Sequence, residues 1–321
     1  VQSLLFIVGI GICFLAGALP VMHAEDITPP IVAKPIGDVT VAAGAPPTVI
    51  GLKKTFALRG VTSDTIVRFT TSLGIADVEL YPESTPKTVA NFLDYVNKGE
   101  ASNGGYGYSI IQRSMPGFVL QGGTYYIESG SIVVIPPRPA IKSEAGILNT
   151  TGTIAMALTT GPDTATSAWF FNLADNTQLD GTKDFGPFTV FGRLIENGMD
   201  TIKAIVALKR YDLSGSLGAA FQDVPVIDYT PADGGVAPTN LVYTESIATI
   251  PLTPAKEGAP AILKLKVTGN TNPDLVQTTI SGRKLTLKYP EKGTAGTARI
   301  TVMAKDAAGT KVHTSFLVTV E

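Results

Sequence analysis

Apolar and polar positions alternate with period two in two runs near residue 70. Thr65-Ile-Val-Arg-Phe-Thr70 and Ala76-Asp-Val-Glu-Leu-Tyr81 each read as a strand. Leu73-Gly74 between them predicts a hairpin. The period then changes. Val89, Phe92, Leu93 and Val96 recur at i, i+3, i+4 and i+7, which predicts one buried face of a helix. Thr85 is a suitable N-cap for it and Pro86 a suitable first residue, because a proline has no N–H to leave unpaired there. Gly99 is its expected stop. Strands and loops are expected over 106–194. A second short helix is expected near Met199–Leu208, with Met199, Ile202, Ile205 and Val206 on one side. Residues 222–240 read as loop and 241–250 as a strand.

The flanks have a different texture. Residues 25–63 are punctuated by Pro29-Pro30, Pro35, Gly44 and Pro46-Pro47, with short β-branched runs at Val39–Val41 and Thr48–Ile50. Residues 251–261 read as a linker. From 262 to 321 the pattern is all β, with five predicted strands at 262–267, 275–279, 284–289, 298–304 and 312–320. The alternations Leu285/Leu287/Tyr289 and Phe316/Val318/Val320 each mark one buried face.

Composition narrows the chemistry. Lys plus Arg number 25 and Asp plus Glu 27, a net charge of −2, which argues against a nucleic-acid partner. Residues 1–24 carry no Lys, Arg, Asp or Glu, and Leu4–Leu19 is nearly all apolar or Gly. This segment reads as a secretory signal peptide ending at Ala24. An uncleaved anchor is the alternative, although about 16 apolar residues is short of the ~20 a span needs. An exported location, periplasmic or at the cell surface of a bacterium, follows as an expectation. The one Cys (Cys13) and one of the two His (His23) lie in that segment. The remainder then has no thiol, no disulfide, no His-based metal site and only His313 for acid–base work. No cofactor and no metal are expected.

The stretch Tyr108-Ser-Ile-Ile-Gln-Arg-Ser-Met-Pro-Gly-Phe-Val-Leu-Gln-Gly-Gly123 is the most informative. It is followed in order by Gly152-Thr-Ile-Ala-Met-Ala157, Thr166-Ser-Ala-Trp-Phe-Phe-Asn172, Leu179-Asp-Gly181 and Phe188-Thr-Val-Phe-Gly192. With the opening hairpin and the Thr-Pro-led helix bearing Asn91-Phe92, this series resembles the cyclophilin family of peptidyl-prolyl cis/trans isomerases over residues 64–250. The resemblance implies a mainly β fold: a closed antiparallel β-barrel with two helices. It implies that Arg113 is the catalytic arginine and that Gln121 orients it and the substrate carbonyl. Phe118, Met156, Phe170 and Leu179 match the floor and walls of the proline pocket, and Ala157 a backbone-binding groove beside it. Four positions depart from the family pattern: Val119 stands for the usual Met, Ala168 for Gln, Gln178 for an aromatic, and Phe188 at the far wall for His. These departures bear on substrate affinity more than on the chemistry.

The reaction suits this composition. Rotation about a peptide C–N bond is opposed by ~18–20 kcal/mol of resonance. X-Pro bonds populate both isomers and exchange slowly. An apolar slot for the ring and a guanidinium donating to the prolyl nitrogen favour the twisted amide, where that lone pair is freed, and no nucleophile is needed. An acceleration of about 10⁴ asks for about 5.4 kcal/mol. The expected partners are Pro-containing polypeptide clients, with no membrane in the mature form unless the signal is retained. A second class is a catalytically weak module that holds Pro-containing segments at the cell surface.

Other features read as structural. Trp169 is expected in the core, and Gly104–Gly107 as a turn. Asn149-Thr-Thr151 matches a glycosylation sequon, read as incidental. Asp175, Asp180 and Asp184 fit no EF-hand spacing and read as solvated loop. His313 reads as an ordinary strand residue. The runs in 31–58 and 262–321 resemble the opening and latter parts of bacterial cadherin-like or immunoglobulin-like repeats, implying a small β-sandwich. Two arrangements are open. In one, both segments build one sandwich with the isomerase inserted between them; in the other, 25–63 is an arm on the isomerase and 262–321 stands alone.

Overall fold

The computed structural model describes residues 28–181, 186–289 and 294–321. The signal-like segment with Cys13 and His23, and also Asp184, lie outside the described residues. Contacts divide the chain into two compact units, Thr65–Thr249 and a second made of Thr28–Asp64 with Ile250–Glu321.

The first unit is built on one eleven-stranded sheet. The predicted hairpin forms from Ile66–Thr71 and Gly74–Leu80, with Thr71 opposite Gly74. One end of the sheet is Ser131–Val134, followed by Tyr125–Glu128 and Ser109–Ile110. The other end is Arg113–Met115. Ser109–Ile110 and Arg113–Met115 stand eight strand spacings apart, about 38 Å if the sheet were flat. Only Ile111 and Gln112 join them along the chain, and such a link spans roughly 10 Å at most. The sheet therefore curls round on itself, although its two end strands are not paired to each other.

Aromatic side chains fill the curl. Phe69 lies 5.2 Å from Trp169 and 5.4 Å from Phe171, both edge-on, and Phe92 lies 5.0 Å from Phe191. Trp169 is in the core, as its sequence context predicts. Gly122 and Gly123 make room for it: a Cβ on either would stand 2.7 or 2.5 Å from the indole.

Helix Pro86–Lys98 follows the hairpin and buries Val89, Phe92, Tyr95 and Val96, while Leu93 is only partly buried. Its capping differs from the expectation. The Thr85 hydroxyl donates to Tyr81 O at 3.1 Å instead of capping the helix. The helix end is capped by Glu144, from a distant loop, whose carboxylate accepts from the N–H groups of Lys87 and Thr88 at 3.1 and 2.8 Å. The second helix, Gly198–Val206, buries Met199, Ile202 and Ile205. A third helical segment, Ser214–Leu217, is one turn long and was not expected.

The second unit has a four-stranded and a three-stranded sheet, plus the two-stranded pair Pro30–Val32 with Phe56–Leu58. Chain segments far apart in sequence share its ladders. Val39–Val41 pairs in parallel with 318–320, and Thr48–Gly51 pairs antiparallel with Lys284–Lys288. His313 is exposed in the last strand, opposite Met303.

Candidate functional site

Three neighbouring strands, Arg113–Met115, Val119–Gly122 and Trp169–Asn172, line one wall of a cavity of about 530 Å³, backed by a fourth, Thr153–Met156. Their register sets Arg113 opposite Gln121, Gln121 opposite Phe170, and Phe170 opposite Ala155. Directly opposed residues share a face, so these side chains form one row across the sheet. Alternation sends the next row, Ser114, Leu120, Phe171 and Ile154, to the other face. The turn that brings Arg113–Met115 back onto Val119–Gly122 is Met115-Pro-Gly-Phe118. Phe118 N–H closes it on Met115 O at 2.9 Å, with Gly117 at φ 73°. Pro in the second position and a left-handed Gly in the third are the residues such a turn demands.

Arg113, Gln121, Phe118, Val119, Ala157, Ala168, Phe170, Leu179 and Phe188 all line the cavity. Met156 does not. It is fully buried opposite Trp169, on the face of the strand that packs into the core. Its neighbour Ala157 accepts the opposite parity, donating its N–H to Ala168 O at 2.9 Å and facing the cavity. Counting alternation from Phe170 gives this answer, and the motif match alone did not.

Arg113 differs from every other arginine in its unit. Arg68 grips Asp77 through Nε and Nη2, both at 2.8 Å. Arg193 is paired with buried Glu79 at 3.0 Å, Arg138 with Asp94 at 2.7 Å, and Arg210 donates to Val206 O at 3.3 Å. Among the described residues the half-buried Arg113 guanidinium has no hydrogen bond and no salt bridge. Partial burial pulls its pKa below the usual arginine value, and the field of Asp223 opposes that shift. Ser114 N–H donates to the backbone carbonyl of Asp223 at 2.8 Å, which ties the main chain of that residue to the strand. The result is a charged, five-donor fork held at a cavity wall with its hydrogen-bonding capacity uncommitted. Gln121 likewise makes no side-chain hydrogen bond among the described residues. Gln112, which sequence reasoning missed, lines the same cavity. Its Nε2 donates to Thr124 Oγ1 at 3.4 Å, and its Oε1 is buried with no partner.

The opposite wall comes from loops. Phe170 and Phe188 meet edge to face at 5.7 Å, and Leu179 closes the floor beside them. Phe188 N–H donates to Leu179 O at 3.1 Å. Behind these residues lies a network of buried amides that sequence reasoning did not anticipate. Asn176 Nδ2 donates to Phe118 O and to Asn172 Oδ1, both at 2.8 Å. Asn172 Nδ2 donates to Asn149 Oδ1 at 3.1 Å and Thr153 Oγ1 at 2.8 Å. Asn149 Nδ2 donates to Asp180 Oδ1 at 2.8 Å and Phe188 O at 3.2 Å. Asn149 is wholly buried and committed to this network, so its place in a sequon is incidental. Asp180 is no solvated loop residue either. It also accepts from Asn149 N–H at 2.7 Å, and burial raises its pKa against the lowering effect of those two bonds. Asp175 accepts from Thr151 N–H and Oγ1, both at 2.9 Å, at the surface. No group of three or more His, Cys, Asp or Glu suited to a metal occurs among the described residues.

What the arrangement can do is hold a small apolar ring against Phe118, Phe170, Leu179 and Phe188 while a guanidinium reaches an atom beside that ring. The family model for cyclophilin type peptidyl-prolyl cis-trans isomerase/CLD matches residues 66–226. Peptidyl-prolyl cis-trans isomerase A of Dickeya dadantii (strain 3937) is 36% identical over 181 residues, covering 56% of this chain and 87% of that protein. Peptidyl-prolyl cis-trans isomerase B of Escherichia coli (strain K12) is 35% identical over 169 residues, 51% of this chain and 94% of that one. The crystal structure of a Cryptosporidium parvum cyclophilin type peptidyl-prolyl cis-trans isomerase is similar over 58% of this chain and 96% of its own, at 20% identity and TM-score 0.40.

Proposed function

Since the chain belongs to the cyclophilin type peptidyl-prolyl cis-trans isomerase family, we propose that Arg113 and the cavity it faces are the site of X-Pro isomerisation. The proline ring of a client enters the slot between Phe118, Phe170, Leu179 and Phe188. Arg113 donates to the prolyl nitrogen as the amide twists and its lone pair leaves conjugation. Gln121, next in the row, holds the client carbonyl and the guanidinium in register. The interaction is stronger in the twisted state than in either planar isomer, which is the condition for acceleration. Its low-dielectric, pre-ordered setting makes one charged donor worth several kcal/mol. The observation that carries this assignment is the uncommitted guanidinium, alone among the five arginines of its unit, in one row with Gln121 and Phe170.

The test is an isomerisation assay by NMR exchange on an X-Pro tetrapeptide, with the wild type beside Arg113→Ala. Acceleration that the substitution removes supports the assignment. Equal acceleration by both proteins overturns it. Peptide binding without acceleration by the wild type selects the weak-module reading instead. Clients are taken to be exported polypeptides, a reading supported by the charge-free, apolar composition of residues 1–24. The second unit is assigned as a single immunoglobulin-like sandwich into which the isomerase is inserted. Four-plus-three sheets and ladders joining 39–51 to 284–320 support this.

A further inference from the structure

The sheet of the isomerase unit ends in a strand whose outer edge is unpaired and which also forms part of the cavity wall. Among the described residues Ser131–Val134 is last in the strand order, joined only to Tyr125–Glu128. The turn between these two strands is Ser129-Gly130, at φ 51° and 79°, the two left-handed residues of a type I′ hairpin. In such a hairpin the flanking residues, Glu128 and Ser131, exchange both backbone hydrogen bonds, and the exchange recurs at every second pair. Ile135 N–H donates to Thr124 O at 2.8 Å, which gives the same parity at the far end. The N–H and C=O groups of Ile132 and Val134 therefore point away from the hairpin partner, to the free edge.

Natural edge strands are usually blunted by Pro, Lys, a bulge or an inward charge. Within Ser131-Ile-Val-Val134 there is none of these. Ile132, Val133 and Val134 have strong β preference, and Val134 is 51% exposed. Val134 lines the same cavity as Arg113, with Tyr125 directly opposite it and Pro137 three residues on. A polypeptide with its proline in that cavity therefore has the Val134 end of this edge within the lining around it. Proline offers no N–H, but the residues flanking it do.

Resting on the isomerase assignment above, we infer that Ser131–Val134 is a second binding element for the client, which adds its flanking residues to the sheet as an extra strand. Ile132 and Val134 supply the donors and acceptors, two residues apart, that an added strand uses. Recognition through main-chain groups demands an extended client with β-compatible flanks and is indifferent to their order. It thereby favours unfolded segments over structured loops.

The experiment uses the full chain and four peptides, read by NMR exchange. One is a blocked X-Pro tetrapeptide. One carries the same core within a ten-residue segment of β-branched flanks. Two are versions of the long peptide N-methylated at alternate flanking amides, one in each register. The long peptide is expected to show kcat/KM about tenfold above the tetrapeptide, mostly through KM, the worth of one or two backbone hydrogen bonds. Methylation in one register returns it to the tetrapeptide value, and in the other leaves it unchanged, because only alternate amides face the edge. No gain with length, or equal effects of the two registers, overturns strand addition and leaves the isomerase assignment standing. A tetrapeptide exchanged no faster with enzyme than without removes both.

Discussion

The two walls of the cavity are held by different forces. The Arg113–Gln121–Phe170 wall is a row of strand positions, fixed by the backbone ladders that join their strands. The Leu179–Phe188 wall is loop, fixed by side-chain amides that reach Phe118 O and Phe188 O from beneath. A ladder survives a change of side chain, because its bonds are main chain. An amide network does not, because each amide removed leaves buried partners without bonds. Substitution on the first wall should therefore change chemistry at constant stability, and substitution under the second should change geometry and stability together.

The largest effect is expected from Arg113→Ala: kcat/KM falls by about 10²–10³, as for loss of one pre-ordered donor to a transition state. Its urea midpoint should stay at the wild-type value, since no bond of Arg113 is lost. Arg113→Lys sharpens the point. It keeps the charge without the planar fork, so recovery to the wild-type rate would show that charge alone suffices. Under the loop wall, Asn172→Leu removes bonds to Asn149, Thr153 and Asn176 at once. A loss of about 2–4 kcal/mol in unfolding free energy is expected. A rise in KM exceeding the fall in kcat is expected beside it. A fall in kcat at unchanged KM would contradict a positioning role for the network.

Gly122→Ala changes the same strands on their core face, opposite Trp169, where side-chain packing and not the ladder sets stability. The new methyl would stand 2.7 Å from the ring of Trp169. Urea unfolding should report a loss of about 1–3 kcal/mol from overpacking. The smallest effect concerns Asp180. Its folded pKa is raised from 3.8 by burial, so the folded state holds a proton that the unfolded state has released. Stability from this group is then fully present below pH 3.8 and declines as pH rises through the window up to the raised value. In Asp180→Asn that decline should vanish, which a denaturant series between pH 3.5 and about 6 measures against the wild type.

Several of these elements were legible in the sequence. The hairpin over Ile66–Thr71 and Gly74–Leu80 and the two main helices follow from local rules, because period, proline and glycine act on nearest neighbours. The opposite faces of Phe170 and Phe171 follow from the strand period. Met156, matched to the pocket by its motif, was not legible: the ladder register that sets it opposite Trp169, on the core face, comes from the fold. The cap of the first helix was not legible. Thr85 has the right chemistry in the right place, yet Glu144, more than fifty residues on, makes the bonds. Local preference for a capping hydroxyl is worth about 1 kcal/mol, and a carboxylate delivered by the fold accepts the same N–H groups and adds a negative charge at the positive end of the helix.

The sequence by itself determined the element types, the order of motifs and the identity of the groups available for chemistry. With no thiol and one histidine beyond residue 24, only arginine, amides, carboxylates and hydroxyls could serve. Tertiary structure decided which of five arginines stays uncommitted, which amides share one buried network, and which strand is left with an open edge. These are properties of pairs and ladders between residues far apart in the chain. Arg113 is uncommitted because Asp77, Glu79 and Asp94 are brought to Arg68, Arg193 and Arg138, while among the described residues no carboxylate, Asp223 included, comes to ion-pair distance of it. Ser131–Val134 is an edge only because the eleven-strand order stops there. Local patterns set what a segment can become, and long-range pairing sets what it meets, because the energy of a hydrogen bond or ion pair depends on the partner and not on the residue alone.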